Sequence, residues 1–254
     1  MNGNFEYETM LSTLDAAGVR TITLNRPQRL NAMNRQLIDD VAAAFNDAHQ
    51  DQATRAIIFT GAGRAFCAGD DRRERVPSGE TEARDLVMAI QAATEAIVFG
   101  PKLVVGAING WAVGGGFEWA INCDFPIWST EATGFFPEVS LNVFVTGGVT
   151  SLLPAMVGLL KAREMLFLGE RYDAATLHQL GVAWRVVPAA DLLASAHEVA
   201  ERLALLPPLA TAAMKRVLNR TASTDLVGAL QLETDATVAG FLDPETARLL
   251  KDFG

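Results

Sequence analysis

The chain has 254 residues, half of them hydrophobic and 20% charged, enough to bury a sizeable core in one large domain or a domain with an appendage. A formal net charge of −9 argues against a nucleic-acid binder, because phosphate recognition needs clustered Lys and Arg, and the longest basic run, Arg72-Arg73-Glu74-Arg75, is short and broken by an acid. Two cysteines, Cys67 and Cys123, are too few for an oxidised scaffold and fit a reducing cytoplasmic compartment, while His49, His178 and His197 lack metal-ligand spacing.

Met1–Glu6 shows neither the basic nor the apolar region of a secretory signal, and no stretch has the length and apolarity of a membrane span. Phe5–Met10 and Val19–Leu24 read as strands joined by a turn near Asp15–Gly18, the second ending at Asn25-Arg26-Pro27 where proline stops the ladder. From Asn34 to about Gln50, Leu37, Ile38, Val41, Ala44, Phe45 and Ala48 recur at helical spacing, with Asn34 as N-cap. Arg55–Thr60 reads as a β-branched-rich strand before the turn Gly61-Ala62-Gly63. A polar loop at Asp70–Gly79, a helix over Thr81–Phe99 and a buried strand over Leu103–Ile108 follow. Gly114-Gly115-Gly116 leads into a short helix, Phe117–Asn122, and a strand near Asp124–Trp128. Beyond Thr146 the chain turns helical over 146–169, 173–181, 189–220, 224–240 and 244–252, with one strand at Val182–Val187. The pattern predicts a crossover α/β core followed by a helical part.

Three segments carry residues suited to chemistry. Arg64–Asp71 follows a strand, and its small residues let backbone N–H groups approach a ligand, although an ordinary strand-end turn reads the same way. Three successive glycines, Gly114–Gly116, stand at a strand-to-helix junction between apolar flanks; this costs conformational entropy and makes sense where backbone must face an electron-rich atom. Glu118, between Phe117 and Trp119, and Glu138, after Pro137 in an apolar stretch, are isolated acids of the kind that desolvation holds protonated for general acid/base work, although either alone also reads as a helix-capping or surface acid. Gly61-x-Gly63-x-x-Phe66 misses the third glycine of a dinucleotide fingerprint and is not followed by a long helix. No Gly-x-Ser-x-Gly of a serine hydrolase occurs.

Together these segments resemble the signature regions of the enoyl-CoA hydratase/isomerase (crotonase) superfamily in order and spacing. The likeness runs from Ile22–Pro27 and Leu30–Met33 through Phe66–Asp71, Asn109–Asp124 and Pro137–Val139 to Gly181–Ala183 and Val186-Val187, most of the chain. The resemblance implies an α/β fold, a crotonase-like spiral of ββα units with a helical C-terminal trimerisation part, divided as 1–195 for the core with the thioester site and 196–254 for the C-terminal helices. It implies a homotrimer or dimer of trimers acting on an acyl-CoA thioester, with no metal and no cofactor beyond the coenzyme A of the substrate. The oxyanion donors would be the backbone N–H groups of Asp70 and Gly115. Glu118 and Glu138 would hold the water, and Glu138 would exchange the proton with the α-carbon. Gln28, Arg29, Leu30 and Ala68 would line the coenzyme A entrance.

Retention of both glutamates favours enoyl-CoA hydration. An isomerase, a hydratase-lyase on an aromatic acyl-CoA and a catalytically silent oligomeric scaffold are the alternatives. The chain departs from the family's pattern at several points. Gln28 stands where lysine is common, which leaves Arg29 or the Arg72–Arg75 cluster as substitutes for a phosphate contact, with a solvated loop as the other reading of those arginines. Asp70 stands where a small residue is common and brings a carboxylate to the carbonyl-binding region. Ser140–Gly148 lacks the usual proline and glycine-rich turn at the acyl end. Trp111, Trp119, Phe135, Phe136 and Phe144 suit a bulky acyl group or ordinary core packing equally well.

Overall fold

Runs such as Ala56–Gly61 and Val104–Ile108, buried along nearly their whole length, require cover on both faces, as in a parallel sheet between helices. The computed structural model describes residues 5–74, 77–221 and 225–252, and in these residues the strands form two sheets. The larger has the order β1 (Met10–Leu14), β2 (Val19–Leu24), β3 (Ala56–Gly61), β5 (Val104–Ile108), β7 (Phe125–Ser129), β10 (Arg185–Val187). It is parallel except for the β1–β2 hairpin. The smaller has the order β4 (Ala65–Cys67), β6 (Trp111–Val113), β8 (Thr133–Phe135), β9 (Tyr172–Asp173), with the first three parallel. The chain enters the sheets alternately, β3 then β4, β5 then β6, β7 then β8. Helices α2 (Glu80–Phe99) and α3 (Gly115–Asn122) follow the first two of these pairs, which makes the ββα spiral.

Helix α1 (Arg35–Gln50) forms where expected. Asn34 caps it by accepting from the Leu37 N–H at 3.0 Å, and Leu37, Ile38, Val41, Ala44, Phe45 and Ala48 all face inward. They join Ile22, Phe59, Phe66 and Trp119 in the main core, where Phe59 meets Phe45 and Phe66 edge-on. Helix α7 (Leu192–Ala204) covers the opposite face of the large sheet, over Ile58, Val105, Ala107 and Ile127. Toward the C-terminus, α9 (Leu226–Leu242) packs through Val238 and Phe241 on Ala83 and Val87 of α2.

The structure corrects several boundaries. The first strand is Met10–Leu14, not Phe5–Met10. Asp40 takes both the backbone N–H and the hydroxyl of Thr9, while Asp15 Oδ1 accepts from Ala17 and Val19 and closes the turn, so pairing runs from Met10 to the turn. The helix expected over 146–169 is α4 (Val149–Val157) and α5 (Leu159–Leu168), broken at Gly158, whose φ of 78° no helix accepts. The helix expected over 173–181 is α6 (Ala174–Gln179). That expected over 189–220 divides at Pro207-Pro208 into α7 and α8 (Pro208–Thr221). Helix α10 (Pro244–Asp252) matches expectation.

Candidate active site

The three parallel strands β4, β6 and β8 end at one edge of the small sheet, so the segments leaving them converge there: Ala68–Asp71 after β4, Gly114–Glu118 after β6, Phe136–Glu138 after β8. The Gly114 N–H donates to the Phe135 carbonyl at 3.0 Å and joins two of the segments. Met33 joins the third. It bridges Asp70 by donating to Gly69 and accepting from Asp71, and its Cε lies 2.6 Å from where a Cβ on Gly115 would stand.

In a parallel bridge the middle residue's own N–H points away from its partner. Among the described residues neither the Asp70 N–H nor the Gly115 N–H, the first amide of α3, meets an acceptor. Two backbone donors therefore stand beside Met33, which bridges Asp70 and packs on Gly115, the second of them at a helix N-terminus.

Both glutamates flank these donors. A Cβ on Gly114 would lie 2.4 Å from Glu138 Oε1, and one on Gly115 would lie 3.9 Å from Glu118 Oε2. Gly114, at φ 52° and ψ −124°, holds a backbone conformation that side chains exclude, and its bare Cα makes the room that the Glu138 carboxyl occupies. The two acids differ in support. Glu118, 2% exposed, accepts from the Thr146 N–H at 2.8 Å on Oε1 and from the Thr146 hydroxyl at 2.5 Å on Oε2. Glu138, 9% exposed on a single 3₁₀ turn, has an Oε2 with no hydrogen-bond partner. Desolvation pushes the Glu118 pKa up to about 8 against the Thr146 bonds that lower it. Desolvation first, and then the nearby charge of Glu118, raise Glu138 well above the ordinary carboxylate range. The Asp70 side chain opens to solvent across the cleft mouth yet stands among enough protein that desolvation pushes it up to about 6.

The expected coenzyme A residues form two adjoining segments. Gln28 and Arg29 lie on the 3₁₀ turn Pro27–Arg29, with Gln28 exposed and Arg29 half-buried. The Leu30 carbonyl accepts from the Ala68 N–H at 3.1 Å. Leu30 and Asn31 both have φ 55°, a strained pair held by Asn31, which accepts from the Arg26 N–H and donates to the Ala62 and Ala65 carbonyls. Arg72 is exposed, Asp71 pairs with Arg26 at 2.9 Å, and Arg75 lies outside the described residues.

A cavity of about 270 Å³ opens beside Asp70, walled by Met33, Ile38, Leu86 and Phe241 and rimmed by charged side chains, among them Arg35, Asp71 and Glu82. None of the five aromatic residues offered as acyl-pocket candidates lines it. Trp119 packs on Phe59 and Phe136 on Phe117 in the core, while Trp111 meets Phe135 edge-on beneath Arg171. Cys67 is fully buried and its thiol is pushed up to about 12 by desolvation, so it is no nucleophile. Met33 and Thr146 escaped the sequence reading. Neither has a chemical signature, and each acts through where the chain folds.

The enoyl-CoA hydratase/isomerase family profile matches residues 15–244. The chain belongs to that family. It is 33% identical to the 1,2-epoxyphenylacetyl-CoA isomerase of Escherichia coli K12 over 86% of this chain and 85% of the relative. It is 31% identical to the short-chain-enoyl-CoA hydratase of Clostridium acetobutylicum over 86% and 84%. An enoyl-CoA hydratase/isomerase crystal structure from Mycobacterium paratuberculosis superposes with a TM-score of 0.90 at 28% identity, covering 98% of this chain and all of that one. Family members with either chemistry in their names thus lie at a similar distance, and the cleft has to discriminate between them. No helix among the described residues is long and apolar enough to cross a membrane.

Proposed function

We propose that this family member is an enoyl-CoA hydratase that adds water reversibly across the 2,3 double bond of an enoyl thioester. The observation that carries the reading is the asymmetric carboxyl pair beside two unpartnered backbone donors, with Glu118 gripped on both oxygens and Glu138 Oε2 without a donor. Moving a double bond needs one group to shuttle one proton. Adding water needs one group for the water and another for the α-carbon, and two acids with opposite support meet that need.

The thioester carbonyl accepts from the Asp70 and Gly115 N–H groups, each worth about 10²–10³ in rate as charge builds on oxygen. Two like charges buried side by side share protons, and the Thr146 donors favour the ionised form on Glu118, so Glu118, raised to about 8, is the one of the pair that ionises first and Glu138 keeps its proton. Water held between the carboxyls loses a proton to Glu118 as its oxygen bonds to Cβ. The π pair moves onto the carbonyl oxygen as an enolate. The enolate collapses by taking the Glu138 proton at Cα, which leaves a 3-hydroxyacyl thioester, and solvent exchange resets the pair. Gln28, Arg29, Leu30 and Ala68 line the coenzyme A entrance, and no cofactor beyond that moiety is required. Assembly as a homotrimer or dimer of trimers in the cytoplasm completes the reading. Leu160, Leu205 and Leu209, each more than four-fifths exposed, support an assembly that covers them.

Chromatography of products from straight-chain and aromatic 2-enoyl-CoA thioesters tests this. A 3-hydroxyacyl thioester supports hydration. A shifted double bond would replace it with isomerisation, a cleaved carbon–carbon bond with a hydratase-lyase, and an untouched panel with the silent scaffold.

A further inference from the structure

Helix α9 turns a polar stripe inward. Glu233, Thr234 and Thr237 are 0%, 3% and 2% exposed, while Val227 and Leu232 on the same helix are 67% and 72% exposed. An acid with no exposed surface is costly unless donors surround it. Among the described residues the Gly148 N–H donates to Glu233 Oε2 at 2.8 Å, the Thr150 N–H and hydroxyl donate to Oε1 at 2.8 and 2.7 Å, and the Gln91 side chain adds its support. The Gly148 and Thr150 donors form the N-terminal turn of α4, so the carboxylate also meets the positive end of that helix.

The same turn holds Glu118 from its other side. Thr146 supplies both hydrogen bonds to Glu118, the Gly147 carbonyl accepts from Asn122 of α3 at 2.8 Å, and Gly147 runs so close to Glu118 that a Cβ there would lie 2.8 Å from the Glu118 Cβ. Residues 146–150 are therefore threaded between two buried glutamates, with Thr146 facing one and Gly148 and Thr150 facing the other. The hydration steps above use only the first.

We propose that Glu233 is a positioning residue for hydration: from the C-terminal helix it fixes the 146–150 turn, and through Thr146 it sets the Glu118 carboxylate where the water is held. The inference rests on the hydratase reading for its rate effect, though the grip on the turn can be measured without it. Glu233→Gln keeps the shape, but its amide nitrogen must face one of the backbone N–H donors. Four readouts on the Glu233→Gln variant separate positioning from general damage. Hydration kcat is expected to fall about 10- to 100-fold, the scale set by misplacing a reacting group by ~1 Å. KM is expected to stay within about threefold, because the coenzyme A contacts are untouched. Exchange of the α-proton of a saturated acyl-CoA in deuterated water uses the oxyanion donors and Glu138, and is expected to stay within about threefold. Amide hydrogen exchange of a peptide spanning 146–150 is expected to quicken.

Equal loss of hydration and α-proton exchange would reduce Glu233 to a general structural role, and an unchanged kcat would overturn the proposal outright. If Glu233→Gln does not fold, Thr150→Val removes a single donor and should give the same selective pattern at smaller size, with Thr150→Ser restoring it. Equal losses in the Thr150→Val variant would overturn the proposal. A wild-type protein that hydrates no thioester would overturn the hydratase reading instead, and the amide-exchange arm would then decide whether Glu233 holds the turn.

Discussion

Replacing Glu138 with glutamine separates chemistry from folding at the centre of the cleft. The side chain is 9% exposed, Gly114 leaves it a fitted space, and Oε2 already lacks a partner, so the isosteric amide opens no cavity and breaks no Oε2 hydrogen bond. What disappears is the proton delivered to Cα. General acid/base action of this kind contributes about 10²–10⁴, or about 3–5 kcal/mol of barrier at 1.36 kcal/mol per decade. Stability should move the other way. Burial and the neighbouring Glu118 raise the Glu138 pKa, so at pH 8 the folded state must hold a proton that the unfolded chain releases, and the amide removes that cost. Each ~1 kcal/mol moves Tm by about 2–4 °C in a chain of this size. The assay pairs loss of the conjugated enone absorbance with thermal melts at pH 5 and 8. The expected result is kcat/KM down at least about 100-fold with Tm at pH 8 equal to or above wild type. Activity within about tenfold of wild type, or a loss that follows a fall in Tm, would refute the assignment.

The backbone role of Asp70 predicts that Asp70→Ala keeps activity within about tenfold while Asp70→Pro, which lacks the donor, loses about 10²–10³; equal losses in kcat assays of the two would assign the effect to the carboxylate. Gly114→Ala places a Cβ 2.4 Å from Glu138 Oε1 at φ 52°, so melts should show about 1–3 kcal/mol of destabilisation together with lost turnover, and a wild-type-like variant would contradict the packing described. The apo protein should lose stability as pH rises. Glu118 at about 8, Glu233 at about 7 and Asp70 at about 6 stand above their ordinary values of 4.5, 4.5 and 3.8, so the folded state retains protons that the unfolded chain releases. Their contribution is fully present below the unfolded values and is lost progressively up to about pH 8. Tm measured between pH 5 and 8 should fall, and Glu118→Gln should flatten the slope; a flat or rising wild-type curve would contradict these shifts.

Much of this was legible in the sequence because local signals agreed with the tertiary outcome. The α1 stripe from Leu37 to Ala48 has helical period and its cap at Asn34, and the glycine triplet and Pro137-Glu138 mark their own segments. The small sheet was not legible. β4, β6 and β8 are three residues each, too short for periodicity to register, yet their parallel ends gather the site. The first strand was misplaced because Phe5 and Tyr7 look strand-like, but Tyr7 donates instead to Asp47 of α1, and the pairing begins at Met10. Glu233 and Thr146 stayed hidden for a related reason. The buried stripe of α9 is polar while some of its exposed positions are apolar, so a reading by amphipathicity places Glu233 at the surface. Gly147 and Gly148 fall inside the helix expected over 146–169, but both sit at φ 68° to pass between two carboxylates.

The most direct test of two glutamates adding water at an oxyanion-held thioester is mass spectrometry of the purified protein with 2-enoyl-CoA thioesters in oxygen-18-labelled water. A product heavier than its substrate by one labelled water, formed by wild type and lost in both Glu118→Gln and Glu138→Gln, is the expected result. Turnover without label, or label incorporated equally by the two variants, would contradict it.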